Sequence, residues 1–153
     1  MAYVLLATDA DWIADEVAAA IAGPEHTVGR IRAGEHVSTA VKELEPDVVI
    51  LDLQIGNMGG FAACMAIRHE EGADRIPITA VLMLLDREAD VFLARRADAD
   101  GWITKPVDAL KLRRAVATLL AGRSWEDGVV PADPAAEPDD SGDEADEADA
   151  EAS

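Results

Sequence analysis

The sequence predicts an α/β protein built on a doubly wound, parallel, five-stranded sheet, a (βα)5 chain. Two observations lead there. Five short apolar runs alternate with five segments whose apolar residues recur at helical spacing, the pattern of strands covered by helices on both faces. One of those runs sits in the stretch Pro46-Asp47-Val48-Val49-Ile50-Leu51-Asp52-Leu53-Gln54-Ile55-Gly56-Asn57-Met58-Gly59-Gly60, where branched aliphatics follow one another without alternation, end on a carboxylate and break into a glycine-rich turn.

Taken in order, residues 3–8 form a first apolar strand, closed by Asp9-Ala10-Asp11. Trp12, Ile13, Val17, Ala20 and Ile21 then recur at helical spacing, and Gly23-Pro24 ends that helix. Residues 27–32 alternate as an edge strand does, and Gly34 leads into a second helix carrying Val37, Ala40, Val41 and Leu44. After the Asp52 strand, the helix that begins at Phe61 runs to about Glu71-Gly72. Residues 76–85 read as a fourth apolar strand, and Asp86-Arg87-Glu88 opens a fourth helix with Val91, Leu93, Ala94 and Ala97 inward. Residues 101–104 are a fifth strand, Lys105-Pro106 follows, and a last helix runs from Asp108 to about Leu120. The pattern ends after Gly122, so the expected domain is residues 1–122, with residues 123–153 an acidic tail too poor in large apolar groups to order itself.

The formal charge of −18 is mostly a property of that tail. Twelve of the 31 acidic residues lie in residues 125–153, which contain no Lys or Arg; residues 1–124 hold 13 basic against 19 acidic groups, a charge of −6. Such a surface does not suit a phosphate backbone or an anionic membrane, so no direct nucleic-acid or membrane partner is expected. One cysteine, Cys64, excludes an intramolecular disulfide and reads as a small buried hydrophobe. No apolar run approaches the ~20 residues needed to span a bilayer, and no basic leader precedes the first strand. His26, His36 and His69 follow no ligand spacing.

In a parallel sheet the carboxyl ends of the strands converge on one edge, where ligands collect in open α/β folds. Thr8, Asp9, Asp52, the end of the fourth strand and Lys105 should therefore share one crevice. Carboxylates from two strands beside a lysine suit a divalent metal and a phosphoryl group. Mg2+ takes hard oxygen ligands, few carboxylates and several waters, and a lysine brings a mobile positive charge to a phosphate oxygen. Asp52 is placed to act as a nucleophile and form an acyl phosphate.

These residues resemble the receiver domains of two-component response regulators, over about residues 3–121. The resemblance is carried by Asp9 at the end of the first strand, by residues 47–53 with their Gly56-Asn57-Met58-Gly59-Gly60 continuation, by Ile76-Pro77, and by Ala99-Asp100-Gly101-Trp102-Ile103-Thr104-Lys105-Pro106. It implies a flavodoxin- or CheY-like fold, Asp52 as phosphoacceptor and Lys105 as the phosphate-pairing lysine. It also implies Mg2+ held by Asp9, Asp52 and the backbone carbonyl of Gln54, with Thr8 reaching the ion only through a water, and a cis Lys105–Pro106 bond. The implied partners are a sensor histidine kinase or phosphotransfer protein and a downstream protein target, in the cytoplasm. No enzymatic activity is implied beyond the domain's own phosphotransfer and dephosphorylation. With no second domain after the last helix, a single-domain regulator acting through protein contacts is expected.

The sequence also departs from the receiver pattern. Thr8 stands where a second acid usually stands, and Asp11, a little further on, is a substitute ligand or simply a first-turn acid. Gly56 replaces a usual proline. The fourth strand usually ends in a hydroxyl that follows the phosphoryl group; counting on from Pro77 puts Leu82 there, and counting back from Lys105 puts Met83 there. Trp102 takes the aromatic switch position on the fifth strand. Arg95, Arg96, Asp98 and Asp100 form either a homodimer face on the fourth helix and fifth strand or solvated charge. Two other functions compete: a pseudo-receiver that binds partners without phosphorylation, favoured by Thr8 and the missing hydroxyl, and a small phosphatase of the haloacid dehalogenase type with Asp9 as nucleophile and Asp11 as acid. The second lacks a cap and a later acidic pair.

Overall fold

A computed structural model describes residues 1–127 of the chain. Its elements are β1 (Ala2–Ala7), α1 (Asp11–Ile21), β2 (His26–Ile31), α2 (Val37–Leu44), β3 (Val48–Asp52), α3 (Gly60–Gly72), β4 (Ala80–Leu85), α4 (Val91–Arg96), β5 (Gly101–Thr104), α5 (Ala109–Leu120) and β6 (Trp125–Glu126). The strands form one sheet in the order β2-β1-β3-β4-β5-β6. Every pairing is parallel. The first five strands follow the flavodoxin-like doubly wound order, whose switch point lies between β1 and β3.

Alternate residues of the central strands feed two cores, as period-2 geometry requires. Val49 and Leu51 of β3, with Val81, Met83 and Leu85 of β4, pack under α2, α3 and α4 against Val41, Cys64, Ile67 and Ala94. Val48, Ile50, Leu82 and Leu84 pack on the other face under α1 and α5, against Ile13, Val17, Leu112 and Val116. Both faces of β3 and β4 are sealed, which is why those strands read as unbroken apolar runs. Cys64 lies in this core, its Sγ 3.3 Å from the Ala97 carbonyl, and burial pushes its thiol up to about 12.

Three expectations change. The fourth strand begins at Ala80 rather than at residue 76; Pro77 has no N–H for a ladder and Ile78 points into solvent. The fourth helix keeps only six residues, because residues 88–90 form a 3₁₀ turn ahead of it, tied by Asp90 Oδ2 accepting from the Arg87 N–H at 3.1 Å.

The third correction concerns the domain's end. The sheet has six strands, not five, and the ordered structure continues past Gly122. Trp125 is 7% exposed and packs into the α1–α5 core, while its backbone N–H donates to the Asp100 carbonyl at 2.9 Å. Asp127 then accepts from the Thr104 N–H at 3.0 Å through Oδ2, and its Oδ1 lies 2.8 Å from Lys111 Nζ. Residues 123–127 therefore belong to the domain and cover the outer edge of β5; the remainder of the expected tail, residues 128–153, lies outside the described residues. Asp100 is not solvated charge either: its carboxylate takes Arg68 at 2.7 Å and the Val81 N–H at 2.8 Å.

A buried indole on a two-residue strand makes a measurable contribution to stability. Trp125→Ala is expected to destabilise the domain by about 3 kcal/mol in urea unfolding, the lower end for removing a buried Trp side chain. A loss below about 0.5 kcal/mol, the scale of a neutral surface substitution, would show that β6 does not belong to the folded unit.

Candidate functional site

Asp52 closes β3 with its side chain inside the protein, 1% exposed. A carboxylate buried this deeply is tolerated only where partners replace its water. Oδ1 accepts from Lys105 Nζ at 2.6 Å and from the Gln54 N–H at 3.1 Å. Oδ2 accepts from the Thr8 hydroxyl at 2.7 Å. Three strands supply those groups: Thr8 directly follows β1, Asp52 ends β3 and Lys105 directly follows β5.

Lys105 is held from both ends. Its N–H donates to the Leu85 carbonyl at 2.7 Å, extending the β4–β5 ladder, and the Lys105–Pro106 bond is cis as expected. Its ammonium donates to Asp52 and also to Asp86 Oδ1 at 3.0 Å, with the side chain 11% exposed. Burial pulls the lysine pKa down, but the hydrogen bonds and charges of Asp52 and Asp86 outweigh it, so the ammonium holds its proton above the ordinary lysine range.

The two remaining oxygen donors stand at the mouth of the crevice, Asp9 and Gln54 both being exposed. Asp9 Oδ2 accepts from the Gly56 N–H at 3.1 Å, a bond that a proline at this place lacks. The loop is clamped from the other side, Gly34 donating to the Gly56 carbonyl at 3.0 Å and Glu35 to the Asn57 carbonyl at 2.7 Å. Its left-handed residues are Asn57 and Met58, at φ of 53° and 72°, and not the glycines. Gly60 is needed for a different reason: a Cβ there would meet the Asp52 carbonyl oxygen at 2.5 Å.

Two carboxylates and a backbone carbonyl make a sparse set of hard oxygens. Among the described residues no three His, Cys, Asp or Glu side chains gather around one point. Hard oxygens from one or two carboxylates are the donor type that Mg2+ takes while keeping most of its waters. Thr8 is less available than the sequence suggested. Its hydroxyl gives its proton to Asp52 and accepts from the Ala10 N–H at 3.1 Å. Asp11 does not substitute for it, because Arg30 and Arg32 hold its carboxylate at 2.9 Å and 3.1 Å and pull its pKa down.

The switch positions need correction. Leu82 and Met83 lie in the interior of β4, opposite Ile50 and Leu51, pointing into opposite cores. Counting from Pro77 fell short because the strand starts three residues later and ends at Leu85. Leu84 stands opposite Asp52, and Leu85 followed by Asp86 is what reaches the edge. The absence of a hydroxyl there is unchanged. Trp102 is 5% exposed, packed in the core beside Met83, with the Arg95 guanidinium 5.3 Å from its ring centre. The residue that sequence reasoning missed is Asp86, taken as a helix start. It carries the same signal as Asp9 and Asp52: an acid closing an apolar strand.

Residues 4–117 match the family model of the response regulator receiver domain. The DNA-binding response regulator MtrA of Mycolicibacterium smegmatis is 31% identical over 103 residues, 67% of this chain and 43% of MtrA, so the chain spans less than half the length of that relative. Protein PilH of Pseudomonas aeruginosa is 26% identical over 122 residues, which cover 80% of this chain and 100% of PilH. The structure of the chemotaxis protein CheY4 of Vibrio cholerae superimposes with a TM-score of 0.68 at 23% identity, covering 78% of this chain and 98% of that one.

Lys105 is the cation that makes the buried Asp52 tolerable, so Lys105→Met should destabilise the protein by about 3 kcal/mol at pH 7, the cost of leaving one member of a buried pair alone. A lysine whose pKa is raised by folding contributes fully below its unfolded pKa and loses that contribution as pH climbs through the folded one. Urea titrations should therefore show the gap between wild type and Lys105→Met narrowing above pH 10.5, the ordinary lysine value. A gap independent of pH would show that the ammonium is not what Asp52 relies on.

Proposed function

The chain belongs to the response regulator receiver domain family, and from that premise we propose that it accepts a phosphoryl group on Asp52 and signals through protein contacts. The observation that carries this reading is the 2.6 Å pair between Lys105 Nζ and the buried Asp52 carboxylate, with Asp9 and the Gln54 backbone at the mouth. The family is a signalling module rather than a classical enzyme, which favours this reading over a phosphatase with Asp9 as nucleophile.

In the proposed step an Asp52 oxygen forms a bond to phosphorus while the bond from phosphorus to the donor histidine breaks. The leaving imidazole keeps the electron pair and takes a proton from water. Lys105 stays within reach of both the acyl oxygen and the incoming phosphoryl oxygens, holding charge that water would otherwise have to solvate. Asp9, Asp52 and the Gln54 carbonyl would hold Mg2+, which when bound neutralises charge on the transferring group. Thr8 keeps Asp52 oriented through Oδ2 and supplies no charge.

The donor would be a sensor histidine kinase or phosphotransfer protein of the cytoplasm. MtrA is described as DNA-binding, but the match covers only 43% of it, and residues 1–124 with a charge of −6 offer a phosphate backbone little to pair with. A downstream protein is the better output. A homodimer through α4 and β5 would have to form beside β6, which already covers the β5 edge. Among the described residues no helix is long and apolar enough to cross a membrane.

Incubation of the protein with Mg2+ and acetyl phosphate should add one phosphoryl group, seen by intact mass, and Asp52→Asn should add none. An unlabelled wild-type protein under conditions that label another receiver would favour a domain that works without phosphorylation.

A further inference from the structure

We propose that Asp86 is a resident anion that competes with a phosphoryl group for Lys105 and so limits how readily Asp52 is phosphorylated. The inference rests on the reading of Asp52 as phosphoacceptor and goes beyond it. The Asp86 carboxylate is not a surface group that has drifted onto a lysine. Leu85 pairs with Thr104 in the β4–β5 register, and the Lys105 N–H donates to the Leu85 carbonyl at 2.7 Å. The residue after each strand end is thereby set side by side, and Asp86 Oδ1 lies 3.0 Å from Lys105 Nζ.

The second oxygen is what distinguishes this contact from ordinary charge pairing. Asp86 is 32% exposed as a side chain, yet among the described residues its buried Oδ2 meets no hydrogen-bond donor. A buried acceptor left unmatched is unfavourable, and Lys105 is what holds the carboxylate there against that penalty. Lys105 thus spends two of its three N–H donors on carboxylates, one on Asp52 and one on Asp86.

Phosphorylation changes the demand on that ammonium. Converting Asp52 to the acyl phosphate places three phosphoryl oxygens beside Lys105, and they compete for the donor that Asp86 holds. Asp86 also adds a fixed negative charge next to an incoming dianion. Like charges repel, and the repulsion acts on the donor before any bond forms. The carboxylate therefore raises the donor concentration at which labelling is half-maximal.

The test compares initial labelling rates of the full chain by acetyl phosphate with Mg2+, read by intact mass, for wild type, Asp86→Ala, Asp86→Asn and Asp52→Asn. Asp86→Ala should label about tenfold faster at sub-saturating donor, a factor equal to about 1.4 kcal/mol. The gain should lie mainly in a lower half-saturating donor concentration. Asp86→Asn removes the charge while its amide oxygen still accepts from Lys105, so its gain should be smaller but present. A merely structural Asp86 would lower stability and leave the half-saturating concentration unmoved. Labelling of wild type with no acceleration in either variant overturns the role of Asp86 and leaves the Asp52 reading standing. No label in any of the proteins overturns both. If Asp86→Ala does not fold, Asp86→Asn decides alone: faster labelling supports the competition and an unchanged rate ends it.

Discussion

The ammonium of Lys105 is the group on which the rest of this sheet edge depends. A carboxylate at 1% exposure in the middle of a six-stranded sheet has no water to fall back on, and the nearest cation comes from a strand two places away. For the pair to close at 2.6 Å, β3, β4 and β5 must end in step. Their register provides this: Asp52 stands opposite Leu84, Leu85 opposite Thr104, and Lys105 is one residue on. A slip of a single residue in either ladder would turn the side chains to the other face and leave Asp52 buried and unpaired. The sealed cores above and below β3 and β4 are thus what fix the chemistry at their ends.

Around that pair the loops are shaped by close approach and by donors rather than by glycine flexibility. Gly60 lets α3 start against the Asp52 carbonyl, and Gly34 sits where a Cβ would run into the Met58 carbonyl oxygen. The left-handed conformations fall on Asn57 and Met58, which places strain in the loop between Asp52 and α3. The Gly56 N–H, free because the residue is not proline, ties that loop to Asp9. Asp9, which follows β1, is therefore tied to the loop after β3 by a hydrogen bond two residues beyond Gln54.

Much of this was legible in the chain. Alternating runs disclosed the (βα)5 order, because strands covered on both faces cannot alternate and helices must. Asp52, Asp9 and Lys105 were visible as polar residues that close apolar runs, and the structure brings Asp52 and Lys105 into contact. What was hidden depends on register and on pairing between distant segments. Trp125 looked like the start of an acidic tail because two residues carry no periodicity; only the sheet shows that the indole fills the α1–α5 core. Leu82, counted on from Pro77, and Met83, counted back from Lys105, both fall inside β4 because a count along the chain assumes where a strand begins and ends. Asp86 was overlooked since an acid before a helix has an ordinary explanation, and its bond to Lys105 exists only once β4 and β5 are paired.

The missing hydroxyl on β4 need not leave the site without a connection to the surface. Asp86 is the first residue of the segment that leads from β4 into α4, through Arg87 and the 3₁₀ turn at residues 88–90. That segment ends in a six-residue helix whose Arg95 lies over the Trp102 ring. The group that touches Lys105 and the group that covers Trp102 are therefore parts of one short stretch of backbone. A hydroxyl would report a phosphoryl group by moving toward it, whereas a carboxylate can report one only by being displaced. A ligand that freed Asp86 from Lys105 would act at the start of the segment that carries Arg95, and would shift that segment only by as much as its affinity differed between two arrangements.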